Sequence, residues 1–83
     1  YKTIVWIKFS GKEKYVSRVI EKYNCNFYLW EEIEFHNLIT GDVFRIFDNG
    51  ERYINKEDGN NVWITTGEPY LNTENIWTID TLY

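Results

Sequence analysis

Turn signals cut the second half of the chain at short intervals, and this punctuation constrains the fold more than any other feature. Thr40-Gly41-Asp42, Asp48-Asn49-Gly50, Asp58-Gly59-Asn60-Asn61 and Thr66-Gly67 separate short runs rich in β-branched and aromatic residues. Val43–Phe47, Arg52–Asn55, Val62–Thr65 and Ile76–Leu82 therefore read as strands. Asn-Gly favours the turn whose twist matches that of paired strands, so a hairpin over residues 43–55 is the best marked of them. Pro69 has no N–H for a ladder, which confines Glu68–Asn72 to a sheet edge or a loop. Short strands at this spacing predict an antiparallel meander that curls into a half-barrel.

The first half reads differently. Thr3–Phe9 is apolar on both faces, with Val5, Ile7 and Phe9 on one and Ile4 and Trp6 on the other, the pattern of a strand covered above and below and hence central in a sheet. Ser10 and Glu13 match a capping box. Behind them Tyr15, Val16, Val19, Ile20 and Tyr23 recur at helical spacing, predicting an amphipathic helix over residues 11–23 with Lys14, Arg18 and Lys22 aligned on another face. Asn24 and Asn26 flank a turn. Asn26–Phe35 fits a strand better than a helix: Phe27, Leu29, Ile33 and Phe35 point inward, Glu31 breaks the alternation, and Tyr28, Trp30, Glu32 and Glu34 point outward.

Eighty-three residues make one domain, taken as 1–83, and leave a thin stability margin unless the core side chains are large. Sixteen aromatics and ten isoleucines against no alanine and no methionine supply that bulk. The first use of so many rings is core filling. A few surplus ones left exposed would mark a binding surface.

Composition also removes whole classes of function. Cys25 is the single cysteine, so no intramolecular disulfide forms, and with His36 the single histidine a Cys/His zinc site lacks ligands. No apolar run approaches the ~20 residues of a membrane helix, no signal peptide is visible, and no N-glycosylation sequon occurs. A reducing, cytoplasmic setting is expected, without membrane contact. Residues 1–41 carry six basic and five acidic groups and residues 42–83 three basic and eight acidic, so the second half repels phosphates. The bias toward Asn, Lys, Ile, Tyr, Phe and Glu matches A/T-rich codons and suggests a low-GC bacterium or its phages.

Phe35-x-x-Leu38-x-x-Gly41-Asp42-Val43-Phe44, then Gly50 and Tyr53-Ile54, then Asn61-Val62-x-Ile64-x-Thr66-Gly67-Glu68 form an ordered series over residues 35–82. It resembles a β-meander pattern of short uncharacterised phage and prophage proteins, in which a Phe/Leu pair precedes a Gly-Asp turn and a Gly-Glu turn joins the last strands. The resemblance implies a small mobile-element accessory protein, a group that includes inhibitors of host enzymes and defence systems. It brings no catalytic residues, and it leaves the first strand and helix unexplained.

The remaining constellations are weighed on their chemistry. Cys25 and His36 could form a nucleophilic pair only with an orienting group and an oxyanion site, and nothing marks either. Phosphate-cradling loops and zinc-protease motifs are missing. Glu31, Glu32 and Glu34 start a hard-cation site at best and read more simply as a solvated acidic face. Lys14, Arg18 and Lys22 are the candidate nucleic-acid contacts, beside a plainer reading as a solvated helix face. Tyr28 and Trp30, flanked by Glu32 and Glu34, are the candidate protein interface, since exposed aromatics anchor most binding energy. Trp63 and Trp77 raise the same question in the meander.

The sequence thus predicts an α+β fold, one amphipathic helix on a strongly bent, mainly antiparallel sheet of five or six strands. The expected function is non-enzymatic: a phage-encoded, anti-CRISPR-like module that binds and inhibits a host defence or nucleic-acid enzyme in the bacterial cytoplasm, with no cofactor or metal. The alternative is a nucleotide- or nucleic-acid-binding module using a cup of aromatics and the basic stripe. A homo-oligomer with aromatics at the subunit boundary would serve either role.

Overall fold

The structure, a computed structural model, describes residues 2–6 and 17–82. Among the described residues eight antiparallel strands follow one another: β1 (Lys2–Val5), β2 (Arg18–Asn24), β3 (Leu29–Ile33), β4 (Val43–Asp48), β5 (Glu51–Arg52), β6 (Trp63–Ile64), β7 (Tyr70–Leu71) and β8 (Trp77–Thr81). A single 3-10 turn, Phe35–Asn37, separates β3 from β4. One sheet has the order β1-β8-β7; the other runs β3-β2-β4-β5, with β6 also on β4. Backbone bonds from Thr66 N to Asp80 O (3.0 Å) and Leu82 N to Ile64 O (2.8 Å) join the two.

The predicted α+β fold is corrected to a mostly β one, with no amphipathic helix among the described residues, and the one strongly bent sheet of five or six strands to two sheets of three and five. Residues 18–23, the second half of the expected helix, form β2 with Asn24, between β3 and β4. The capping box and Lys14 lie outside the described residues. Helical spacing misled because Val19, Ile20 and Tyr23 fit a stripe of period 3.6 as well as two faces of period 2. In the strand Ile20 is buried, whereas Tyr23 is exposed on the opposite face. Ladders on both sides of β2 satisfy its backbone, and that context outweighs local preference.

The first strand is corrected as well. Among the described residues β1 pairs only with β8 and lies at a sheet edge rather than at a centre. Its described part is one-sided: Ile4 and Trp6 pack on the core and Val5 is exposed. Residues 7–9, which carried the argument for two covered faces, lie outside the described residues.

The turns follow their chemistry. Asn49 and Gly50 both adopt positive φ (53° and 83°), closing the β4–β5 hairpin as Asn-Gly should. Gly41, at φ 90°, closes the 39–42 turn, whose ends are held by Thr65: its backbone carbonyl accepts from Gly41 N and its hydroxyl from Asp42 N. Pro69 immediately precedes β7, an edge strand, where its missing N–H costs no central ladder bond.

Ile20, Phe35, Leu38, Phe44, Ile46, Trp63 and Ile79 make the buried core, with Ile4, Trp6, Ile33 and Tyr53 packed around it. Three of the seven are aromatic, and Trp63 lies between Phe44 and Tyr53 at centroid distances of 5.9 and 5.7 Å. Much of the aromatic richness is therefore spent inside. Arg18 ties the sheets together: its guanidinium forks onto Asp48 (2.6 and 2.7 Å) and also donates to the carbonyls of Val5 (3.2 Å) and Trp6 (2.9 Å).

Candidate functional site

Among the described residues the two most exposed aromatics, Phe27 and Tyr28, sit with Tyr23 on the β2–β3 hairpin, while Tyr70 and Trp77 are exposed on β7 and β8. Asn24 pairs with Leu29, so Cys25-Asn26-Phe27-Tyr28 is a four-residue connection. Asn24 begins it by accepting the Asn26 N–H on its side-chain oxygen at 3.0 Å, an Asx turn. Tyr28 ends it in the left-handed region, at φ 56°. Phe27 is 69 % exposed and Tyr28 83 %, with Leu29 (42 %) beside them.

Below this tip the hairpin presents two distinct faces. Ile20, Ile33 and Ile46 lie side by side across β2, β3 and β4 on the inner face. On the outer face Tyr23 meets Trp30 edge-on (5.3 Å), and the Arg45 guanidinium lies over the Trp30 ring at 4.2 Å and near Phe47 at 5.2 Å. Glu21 holds that guanidinium at 2.7 Å. Trp30 is thus half-buried under a fixed cation, a position that orders the outer face rather than offering a free ring.

The four residues expected at a protein interface divide accordingly. Tyr28 stands out at the tip. Trp30 and Glu32, two apart on β3, share the outer face. Glu34 is exposed just beyond the strand, where its carbonyl accepts from Asn37 N. The tip also brings in Phe27 and Leu29, which the alternation pointed inward. The signal that would have found them is Asn24-x-Asn26, which marks a hairpin turn as well as it marks a helix end.

The candidate basic stripe does not assemble. Arg18 is committed to Asp48 and to the carbonyls of Val5 and Trp6, and Lys22 pairs with Asp42 at 3.6 Å. Both share the side of β2 that carries the buried Ile20, as strand alternation requires. Lys14 lies outside the described residues.

No group of three or more potential metal ligands gathers among the described residues. Cys25 borders a cavity of about 360 Å³ with Lys22, Glu31 and Asp42, and His36 is not among its lining residues. His36 instead neighbours Trp77, at 5.8 Å between ring centroids. No helix of the described residues is long and apolar enough to cross a membrane. Set against family models, curated proteins and solved structures, the chain matches none of them.

Proposed function

We propose that this chain is a non-enzymatic protein-binding module that holds its partner through the tip of the β2–β3 hairpin. Tyr28 carries the reading. At φ 56° glycine or asparagine would fit with less strain, and at 83 % exposure the ring contributes nothing to the core. Neither folding nor solubility favours a tyrosine there; a partner's pocket does. Phe27 and Leu29 extend the same apolar surface, and aromatic anchors of this kind dominate binding energy at protein interfaces. The three carboxylates at 31, 32 and 34 disfavour a nucleic-acid partner. Cys25, a free exposed thiol, supports a reducing compartment such as the bacterial cytoplasm.

Tyr28→Gly separates binding from stability. Relief of the left-handed strain offsets glycine's extra entropy in the unfolded chain, so unfolding free energy should stay within about 1 kcal/mol of the parent. A photo-crosslinking phenylalanine analogue at position 27 should label one dominant protein in extract of the source organism. The same group at Glu57, on a remote exposed loop, should not. Tyr28→Gly should abolish the labelling. Equal labelling from both positions, or labelling indifferent to Tyr28→Gly, overturns the reading.

A further inference from the structure

β3 is an open template. It pairs with β2 on one side and with nothing described on the other. In an antiparallel ladder every second residue of an edge strand turns its N–H and C=O away from its partner, so the outer rim of Leu29–Ile33 carries unused donors and acceptors. β5 and β7 are two residues long and offer little rim, and β1, a four-residue edge, already gives its Val5 carbonyl to Arg18 and carries no carboxylate.

Edge strands are commonly guarded by charge, and β3 carries Glu31 and Glu32, with Glu34 just beyond. The two strand carboxylates point to opposite faces, so a strand laid alongside meets negative charge on both. Glu32 takes part in no ion pair among the described residues, and its cross-strand neighbour Glu21 is already held by Arg45. Such a guard repels acidic strands. It also repels a second copy, because antiparallel self-pairing centred on the strand sets Glu31 opposite Glu31 or Glu32, and like charges directly opposite destabilise a ladder. A strand with Lys or Arg at those positions gains both the ladder and the ion pairs.

Resting on the protein-binding reading above, we infer that the partner adds an extended basic segment to the open edge of β3, while its pocket takes the Phe27–Tyr28 tip. Main-chain bonds supply affinity in this mode and alternate side chains supply selectivity. The segment places Lys or Arg opposite Glu31 and Glu32, and apolar residues opposite Leu29, Trp30 and Ile33.

The test uses the whole chain and three synthetic peptides: Thr-Lys-Val-Arg-Lys-Val-Ile-Thr, the same peptide with each cation replaced by Glu, and the basic peptide with its two valines replaced by Pro. The basic peptide should bind at least about ten-fold more tightly than either of the others, equivalent to ~1.4 kcal/mol. It should lose that advantage at high salt and slow hydrogen exchange at the β3 amides. Glu31→Lys/Glu32→Lys should reverse the preference toward the acidic peptide. Glu32→Lys alone, at an exposed side chain, keeps the test available if the double variant does not fold. Equal binding of all three peptides, protection elsewhere, or a dimer in sedimentation that itself protects β3 overturns the inference. None of those outcomes touches the Tyr28→Gly labelling result, which alone judges the tip.

Discussion

Arg18→Ala removes the side chain that ties the two sheets together. The guanidinium forks onto Asp48 at 2.6 and 2.7 Å, donates to the Val5 and Trp6 carbonyls, and lies 5.3 Å from the centre of the Tyr53 ring. The side chains are 16 % (Arg18) and 26 % (Asp48) exposed, so the pair is neither a screened surface bridge nor a fully buried one. Removing one partner of a buried pair costs about 3–5 kcal/mol, and residual solvation of Asp48 brings the expectation to ~3 kcal/mol. Arg18→Lys keeps the charge but loses the planar fork and reach to the carbonyls, for a loss of about 1–2 kcal/mol. Arg18→Ala/Asp48→Ala should be less destabilised than the sum of the singles by ~1–2 kcal/mol, since no uncompensated carboxylate remains.

Urea unfolding followed by tryptophan fluorescence measures these differences, as midpoint shifts at unchanged slope. Hydrogen exchange adds a directional readout. Because Arg18 holds the Val5 and Trp6 carbonyls at the end of β1, the β1–β8 amides should lose protection before those of β2 and β4. A cost below about 1 kcal/mol for Arg18→Ala, in the range of a surface pair, refutes the reasoning, as does uniform loss of protection.

Three further outcomes are expected. Thr65→Val removes the hydroxyl that donates to the Ile39 carbonyl and accepts from Asp42 N, and should cost about 1–3 kcal/mol by thermal unfolding, with Thr65→Ser close to the parent. Trp63 is fully buried, yet its indole N–H meets no acceptor among the described residues; Trp63→Phe should therefore cost no more than about 1.5 kcal/mol in urea, against ~3–5 for Trp63→Ala. The Tyr70 hydroxyl donates to Asp80 at 3.0 Å, and this hydrogen bond raises the phenol above its ordinary value of 10.0. The folded state thus holds that proton more tightly than the unfolded one. Its contribution to stability is present below the unfolded tyrosine range and is lost as pH rises through the folded pKa. Ultraviolet titration should find Tyr70 ionising at higher pH in the parent than in Asp80→Asn.

Local signals read the second half well because turns are local objects. Asn49-Gly50 and Gly41 are legible from three or four residues, since positive φ excludes most side chains whatever the remainder of the chain does. The strands at 43–48, 63–64 and 77–81 follow from their bounds, whereas the expected Arg52–Asn55 strand is confined to Glu51–Arg52; the Pro69 segment takes an edge for want of one N–H. Segment 18–24 was not legible in this way. Its residues satisfy a helix and a strand alike, and what chose the strand was β3 and β4 arriving on either side, pairs as distant as Arg18 with Asp48. The candidate site divides along the same line. That aromatics exceed the needs of a core, and that Tyr28 stands among acidic residues, is written in the sequence. Which rings stay outside is a tertiary outcome: Trp63 and Phe44 were drawn inside by the closing of two sheets, Trp30 was covered by Arg45, and Tyr28 was left exposed by a turn whose fourth residue must take positive φ. Composition and turn chemistry act over a few bonds and are settled by the chain alone; burial is a property of surfaces that meet, and it exists only once distant strands have paired.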